Sequence, residues 1–397
     1  MILMINGRMT ELGKKRSVIR EIFEYAKVRK AEIGDGNVFD FSIGNPSVPA
    51  PAAVTETMKR LISETDPVQL HGYTSAQGDA GVRKAIADNV KSRFDFDTDP
   101  NLIYMTCGAA ASLTVTLNAI VNSGDEIVVL APYFPEYRVF AEKAGAAVVE
   151  SPCREGDFQI DFEALKKAVT SKTKAVIVNS PNNPTGAVFS EDTIRELALL
   201  LENRQREYGT DIYIIADEPY RELVYGADVP YIPKFYKNTV VCYSYSKSFS
   251  LPGERIGYIL VSPECKDCGE LYAAVCGAGR ALGFVCAPSL LQYTVRDCVD
   301  VKPDLETYKT NRDIFYGALT SYGYTVVPPD GAFYLFVKSP EPDANAFCER
   351  AKKYELLLVP GDDFGCKGYV RICYCVSREQ IENSLPAFKA LIEEYNK

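Results

Sequence analysis

The sequence predicts an α/β protein with a mostly parallel sheet covered by helices on both faces, together with a smaller α+β domain. Between residues 102 and 261, short apolar segments alternate with amphipathic ones, a pattern typical of parallel strands joined by helices. After residue 287 the alternation ends, and a long helical segment is followed by short strands and further helices. We therefore expect a large domain over residues 46–287 and a small domain formed by residues 1–45 and 288–397.

The individual elements follow from the same periodicities. Residues 17–30 have apolar side chains at helical spacing, and residues 38–43 alternate like a short strand that ends at Gly44. The proline-rich segment that follows, to residue 53, either connects the two domains or is an ordinary loop. In the large domain the pattern predicts a helix at 80–91, strands at 102–106, 127–130, 147–151, 175–179, 212–216, 240–245 and 257–261, and helices at 111–121, 137–144, 162–169 and 191–208. In the small domain it predicts helical segments at 289–320, 344–354 and 378–395 and strands at 324–327, 333–337, 356–359 and 369–373.

Composition limits the kinds of partner. The chain is 47% hydrophobic and 24% charged, as globular proteins are, and its net charge of −9 argues against nucleic acid or an anionic membrane as the main partner. No apolar run reaches the roughly 18 residues that span a bilayer. The apolar stretch at residues 1–6 is too short for the core of a signal peptide. We therefore expect a cytoplasmic protein.

The twelve cysteines are scattered, many of them inside apolar segments, so we expect buried reduced thiols without disulfides. Cys265 and Cys268 have the spacing of a zinc knuckle. They lack a second close pair, and the chain has one histidine, His71, so we expect no metal site. A single histidine also excludes most histidine-based triads.

Two loops that follow predicted strands contain small or aromatic residues. Gly108, Ala109 and Ala110 open a helix, where small residues let backbone N–H groups approach a phosphate; a tight helix start is the alternative. Phe134 lies in an aromatic loop at residues 131–137, which could stack on a planar ring or pack in the core.

Two further loops carry polar groups at strand ends. Asn183 lies in a proline-rich turn at residues 180–186, which either holds two side-chain amides at the mouth of the ligand crevice or is an ordinary turn. Asp217 ends an apolar strand and is followed by Glu218, Pro219 and Tyr220. Burying this carboxylate would be costly unless a cation, such as a protonated pyridine nitrogen, faced it.

The most informative stretch covers residues 244–257. An apolar strand leads to Ser244, Ser246 and Lys247, and Arg255 follows eight positions later. A lysine at the carboxyl end of a strand faces the ligand crevice of open α/β sheets and, when desolvated, can attack a carbonyl to form an imine. The hydroxyl groups and Arg255 could hold a phosphate on the same ligand, which indicates pyridoxal phosphate; a solvated turn is the alternative.

One glycine pattern, at residues 277–283, is similar to a dinucleotide-binding fingerprint. Its third glycine is one position late, and it lies far from the first strand–helix unit, so we assign it no function.

Three motifs, Asn-Pro-Thr-Gly at 183–186, Asp-Glu-Pro-Tyr at 217–220 and Ser-Tyr-Ser-Lys at 244–247 with Arg255 and Gly257, occur in this order. In these motifs the sequence resembles the class I/II aminotransferases, fold type I enzymes that use pyridoxal phosphate. The resemblance extends from residues 44–46 to residues 370–372.

The resemblance implies a role for each matching residue. Lys247 would hold the cofactor as a Schiff base and move the α-proton of the substrate. Asp217 would pair with the pyridine nitrogen. The remaining cofactor contacts would be Tyr220 and Asn183 at the phenolic oxygen, Phe134 on the ring, and Ser244, Ser246, Arg255, Gly108, Ala109 and Ala110 at the phosphate.

The resemblance also implies a homodimer with shared active sites, because Tyr73 matches a tyrosine that reaches the phosphate of the neighbouring subunit. Arg371 would bind the substrate α-carboxylate, and Gly44 and Asn183 would lie against the substrate. The chain has no tryptophan, whereas aspartate and alanine enzymes of the family often carry one at the stacking position or near the arginine that matches Arg255.

We therefore expect an aminotransferase that acts on an L-amino acid, aspartate or alanine, and a 2-oxo acid such as 2-oxoglutarate. Two alternatives stay open. In the first, the same site residues would serve a lyase that catalyses β-elimination from cystathionine-like substrates. In the second, the protein would be a regulatory module that binds the cofactor without catalysing a reaction. Such modules usually carry a DNA-binding extension, for which residues 1–16 are too few.

Overall fold

The computed structural model describes residues 5–14 and 17–395. Their contacts define two compact units. The larger unit consists of residues 46–307 and 329–332, and the smaller unit contains the described parts of 1–45, 308–328 and 333–397.

The described residues form thirteen strands and fifteen α-helices. The strands are β1 (Phe39–Asp40), β2 (Ile103–Thr106), β3 (Glu126–Ala131), β4 (Ala147–Pro152), β5 (Thr173–Asn179), β6 (Tyr213–Asp217), β7 (Thr239–Ser244), β8 (Gly257–Val261), β9 (Thr325–Val326), β10 (Tyr334–Lys338), β11 (Leu356–Leu357), β12 (Val359–Pro360) and β13 (Tyr369–Cys373). The helices are α1 (Gly7–Lys14), α2 (Val18–Ile33), α3 (Ala52–Glu64), α4 (Pro67–His71), α5 (Ala80–Phe94), α6 (Ala109–Ile120), α7 (Glu136–Ala144), α8 (Phe162–Ala168), α9 (Glu191–Tyr208), α10 (Tyr245–Ser248), α11 (Cys268–Leu282), α12 (Ser289–Cys298), α13 (Leu305–Tyr322), α14 (Ala344–Ala351) and α15 (Arg378–Glu393).

The larger unit is built on a seven-stranded sheet with the order β2-β8-β7-β6-β5-β3-β4. Only β8 runs antiparallel to its neighbours within this sheet. Successive strand residues belong alternately to two buried clusters: Ile214 and Ala216 belong to one cluster and Ile215 to the other. Since side chains alternate across a strand, the two clusters lie on opposite faces of the sheet. The predicted α/β fold with a mostly parallel, doubly covered sheet is confirmed.

The smaller unit contains a four-stranded antiparallel sheet, β12-β13-β10-β9, and a parallel pair, β1-β11. Phe41, Phe315 and Phe388 pack against each other in its core, with ring centroids 5.1–5.8 Å apart. A separate antiparallel sheet of this kind is what an α+β body requires.

Residues 288–307, which the sequence analysis assigns to the small domain, group with the larger unit. Helix α12 packs on α3 and α5 there. Ser289 Oγ donates to the Leu70 carbonyl over 2.7 Å, and Gln292 Oε1 accepts from the Asp79 amide over 2.8 Å. These contacts explain why the segment groups with the larger unit, which its helical periodicity alone does not indicate.

Three details of the helices bear on the predicted elements. The helical segment at 289–320 is interrupted between α12 and α13, where Pro303 removes a backbone donor and Asp304 accepts from the Thr307 amide. The glycine pattern at 277–283 lies in and just after α11, whose buried face includes Leu271 and Val275, so it forms no phosphate loop. Helices α3 and α4 also lie in a segment where no helix was predicted.

All twelve cysteines are free thiols. Among the described helices, none is long and apolar enough to cross a membrane.

Candidate active site

The loops that the sequence analysis singled out meet at one edge of the seven-stranded sheet. Strands β5, β6 and β7 are parallel neighbours, so their carboxyl ends lie side by side. Strand β2 has the same direction, because β8 is antiparallel to both β2 and β7. In open α/β sheets this edge is where ligands bind. It carries Gly108, Ala109, Ala110, Phe134, Asn183, Asp217, Tyr220, Ser244, Ser246 and Lys247, with Arg255 just before β8.

Asp217 ends β6, the central strand, and its side chain is buried. Oδ2 accepts a hydrogen bond from the Tyr137 hydroxyl. Oδ1 is buried as well and has no hydrogen-bond partner in the part of the chain that the structure describes. Burial raises the pKa of Asp217 to about 7, the Tyr137 hydrogen bond opposes this, and the charge of Glu218 adds to it. A cationic donor facing Oδ1 would relieve the cost of this burial.

Tyr137 lies at this edge, although the sequence analysis assigns it no role. It lies in the first turn of α7, is buried, and packs edge-to-face on Phe134 with ring centroids 5.7 Å apart. Burial and the adjacent Asp217 carboxylate raise its pKa well above the ordinary tyrosine value, so the phenol stays protonated and donates. The helical periodicity places Tyr137 on the core face, which gives no sign of its hydrogen bond.

Lys247 lies in α10, the single turn that follows β7, and its side chain is partly exposed. Ser244 caps this turn: its Oγ accepts from the Ser246 amide over 3.1 Å and lies 2.7 Å from Ser246 Oγ. On the other side of Lys247, the Oγ of Ser248 lies 3.1 Å from the Tyr243 hydroxyl. The same hydroxyl donates to the Glu222 carboxylate over 2.8 Å. The turn that carries Lys247 is therefore anchored at both of its ends.

Arg255, Ser246 and Gly108 form a polar corner next to Lys247. Arg255 Nη1 donates to Ser246 Oγ over 3.5 Å and to the Pro252 carbonyl over 2.8 Å. Gly108 has a φ of +87°, and a Cβ there would lie 2.8 Å from Arg255 Nη2. Gly108 gives α6 no side-chain cap, so the first backbone N–H groups of this helix, from Ala109 on, are available to an anion.

Phe134, Asn183 and Tyr220 lie at the same edge, in the loops after β3, β5 and β6. Asn183 and Tyr220 are both buried, each with 6% of its surface exposed. The Asn183 amide N–H donates to the side chain of Asn179 over 2.8 Å. Phe134 is half-buried and packs against the cluster on one face of the sheet.

Tyr73 differs from the other predicted cofactor contacts. It follows α4 in a loop of the larger unit, and 97% of its side chain is exposed. A single exposed aromatic side chain is common on protein surfaces, so its exposure alone does not assign Tyr73 a partner.

Arg371 and Gly44 belong to the smaller unit, where both approach Tyr334. Arg371 is buried on β13, opposite Phe336 and Val359 of the neighbouring strands. Its Nη2 donates to the Ser42 carbonyl, and its guanidinium lies 4.8 Å from the ring centre of Tyr334. A Cβ on Gly44 would lie 2.2 Å from the Tyr334 hydroxyl, so any larger residue there would have to displace the Tyr334 side chain.

Residues 36–388 match the family model described as aminotransferase class I and II. The chain belongs to this family. The match confirms the resemblance found in the sequence and the predicted enzyme class: the chain is an aminotransferase.

Relatives of this aminotransferase match it along nearly its whole length. A probable aspartate aminotransferase of Methanocaldococcus jannaschii is 31% identical over 98% of this chain and 100% of its own. The crystal structure of an amino transferase from Eubacterium rectale has a TM-score of 0.98 and 55% identity, with both chains fully covered. The aspartate aminotransferase from Thermus thermophilus with maleate has a TM-score of 0.85 and 28% identity, over 95% of this chain and 97% of that one.

Proposed function

We propose that this aminotransferase binds pyridoxal phosphate at the sheet edge and transfers the amino group of L-aspartate to 2-oxoglutarate. The observation that carries the proposal is the buried Asp217, whose Oδ1 has no hydrogen-bond partner among the described residues, at the same edge as Lys247. A protonated pyridine nitrogen is both a cation and a donor, and it would satisfy that oxygen.

The remaining residues at the edge fit the other parts of the cofactor. Arg255, Ser244, Ser246 and the amides from Gly108 to Ala110 would hold the phosphate, because together they offer a guanidinium, hydroxyl groups and a helix N-terminus. Phe134 would lie against the ring, and Asn183 and Tyr220 would donate to its phenolic oxygen. When bound, pyridoxal phosphate withdraws electrons from the bonds at the α-carbon of an amino acid.

Lys247 is the proposed base. Its Nζ would take the proton from the α-carbon of the substrate and return it later in the cycle. The anchoring of α10 through Ser244 and Ser248 would hold this amine at a constant distance from the substrate.

Arg371 is proposed to bind the substrate α-carboxylate by two parallel hydrogen bonds. Its guanidinium lies 4.8 Å and 5.0 Å from the ring centres of Tyr334 and Phe364, contacts that would orient it for a planar carboxylate. Gly44, which has no side chain, would allow the substrate carboxylate to approach the Arg371 guanidinium. The preference for aspartate is supported by relatives named as aspartate aminotransferases and by the solved relative with maleate, a dicarboxylate.

A cytoplasmic homodimer is the proposed assembly. Tyr73 supports it, because in the family resemblance it matches a tyrosine that reaches the phosphate of the neighbouring subunit, and its exposure leaves it accessible to a second copy of the chain.

The test is a screen of amino donors against 2-oxoglutarate, with glutamate formation and the absorbance of the bound cofactor as measurements. We expect L-aspartate to give glutamate and oxaloacetate and to lower the cofactor absorbance without the acceptor. Release of pyruvate and ammonia from cystathionine, with no requirement for a 2-oxo acid, would instead assign the site to β-elimination. Failure of the purified protein to take up pyridoxal phosphate would refute the proposal.

A further inference from the structure

A buried asparagine connects two of the proposed cofactor contacts. Asn179 is the last residue of β5, and it pairs in register with Asp217, the last residue of β6. Its side-chain Nδ2 donates to the backbone carbonyl of Asp217 over 2.9 Å. Its Oδ1 accepts from the backbone N–H of Asn183 over 2.8 Å. One amide therefore bonds to the loop after β5 and to the end of β6.

The need for this amide follows from the local backbone. Beyond Asn179 the chain leaves the sheet through a turn that contains Pro181, and the Asn183 N–H, which lies outside β5, donates to the Asn179 side chain. The Asp217 carbonyl likewise lies at the end of its strand. All three residues are buried, with 4–6% of their surfaces exposed, so an unpaired polar group at this place would be costly.

We propose that Asn179 is a positioning residue that sets the separation between Asn183 and Asp217. These two residues are the proposed contacts of the phenolic oxygen and the pyridine nitrogen, on different parts of the same rigid ring. A rigid planar ring can make both contacts only if Asn183 and Asp217 stay at a fixed distance from each other. The two hydrogen bonds of Asn179 hold them at that distance. The inference rests on the proposed function, because it assumes that pyridoxal phosphate occupies this edge.

Asn238 provides a matched control. It is also a buried asparagine of the larger unit, 8% exposed, and its amide also bridges two segments. Its Nδ2 donates to Gln205 over 3.0 Å, and its Oδ1 accepts from the Lys266 amide over 3.1 Å. Asn238 directly precedes β7, so it lies at the amino ends of the strands, the edge opposite to the proposed cofactor site.

The experiment compares the wild type, Asn179→Leu, Asn179→Asp and Asn238→Leu. Each protein is stripped of cofactor and titrated with pyridoxal phosphate, and the dissociation constant, the spectrum of the bound cofactor between pH 5 and 9, and the thermal midpoint of the cofactor-free protein are measured. Asn179→Asp keeps the size of the side chain and its acceptor for the Asn183 amide, but its ionised carboxylate cannot donate to the Asp217 carbonyl. This second variant keeps the test valid if leucine prevents folding.

We expect Asn179→Leu to raise the dissociation constant about 10- to 100-fold, the size of effect that losing two hydrogen bonds produces, and to change the pH at which the bound spectrum shifts. We expect a smaller change in the same direction for Asn179→Asp. Asn238→Leu should lower the thermal midpoint and leave affinity and spectrum unchanged.

The two possible failures give different results. If the Asn179 variants lose thermal stability alone, as Asn238→Leu does, the positioning role is refuted and the proposed function stands. If the wild type binds no pyridoxal phosphate, the proposed function itself fails.

Discussion

The Tyr137 hydroxyl donates a hydrogen bond to Oδ2 of Asp217 at the end of the central strand, and both side chains are buried. This bond leaves Oδ1 of Asp217 as the oxygen available to a cofactor. It also stabilises the ionised carboxylate against the effect of burial. Tyr137 therefore acts on the same group that the proposed cofactor would contact.

Tyr137→Phe should weaken the proposed site without unfolding the protein. Loss of a hydrogen bond to a charged group costs about 1.5–3 kcal/mol, so we expect kcat/KM to fall about 10- to 150-fold. Tyr236→Phe is the control, because the Tyr236 hydroxyl is also buried and donates to the Ile212 carbonyl over 2.7 Å, at the amino end of β6. If both variants lower stability and neither lowers kcat/KM, Tyr137 has only a packing role.

The raised pKa of Asp217 predicts how the stability of the cofactor-free protein depends on pH. The folded protein holds the Asp217 proton up to about pH 7, whereas an unfolded chain releases it near pH 3.8. Between these values the folded state binds more protons, so the free energy of unfolding decreases as pH rises. The stability that Asp217 contributes is therefore complete below about pH 4 and lost above about pH 7.

Asp217→Asn isolates this effect, because asparagine does not titrate. Urea unfolding of both cofactor-free proteins at pH 5 and pH 8 should show a larger loss for the wild type, by at most about 3 kcal/mol, because about two pH units lie between pH 5 and the folded-state pKa of about 7. Bound cofactor should remove the difference, since a pyridinium would favour the ionised carboxylate. Equal losses in the two cofactor-free proteins would show that Asp217 does not hold its proton.

Much of this site follows from the sequence, and the part that does not has a physical cause. Asp217 and Lys247 stand out because each follows a wholly apolar strand. Tyr137 and Asn179 do not: Tyr137 has the periodicity of a core residue, and Asn179 is simply the end of a predicted strand. Each donates a hydrogen bond to Asp217, which lies 80 and 38 positions further along the chain. Helix α3 was missed for a related reason: the prolines before it indicated an irregular segment, whereas its buried residues Val54 and Leu61 show that packing decides the conformation.

Lys247 should be the residue that bonds covalently to the cofactor. Borohydride treatment of the cofactor-loaded protein should bleach its yellow colour, and peptide mapping should find the reduced adduct on Lys247. Lys247→Ala should still bind cofactor through the phosphate contacts and lose transamination almost completely. An adduct on any other lysine would overturn the assignment.

Tyr73 provides a test of the shared site. In the proposed dimer each site takes Lys247 from one chain and Tyr73 from the other. A mixed dimer of a Tyr73→Phe chain and a Lys247→Ala chain would therefore contain one site with neither change. After subunit exchange, the mixture should be more active than the weighted average of its parents. Activity equal to that average, with exchange verified by mass spectrometry, would contradict the proposed contact across the dimer.

The last prediction concerns Arg371, for which a structural role and a substrate-binding role make different predictions. The guanidinium donates to the Ser42 carbonyl and lies against two aromatic rings, so Arg371→Lys should lower the thermal midpoint by a few degrees in either case. A role in binding the α-carboxylate predicts in addition that kcat/KM of the folded enzyme falls about 10- to 150-fold, because the point charge of lysine cannot reproduce a bidentate contact. This loss should be similar for every amino acid tested, since all share the α-carboxylate.

Arg29→Lys is the matched control for Arg371→Lys. Arg29 lies in the same unit and makes a bidentate pair with Glu355, with contacts of 2.7–3.2 Å at a partly exposed site. Its replacement should change stability slightly and leave kcat/KM unchanged, because no substrate role is proposed for it. If Arg371→Lys gives the same pattern as this control, with lower stability and normal kinetics of the folded fraction, Arg371 is structural and the carboxylate binds elsewhere.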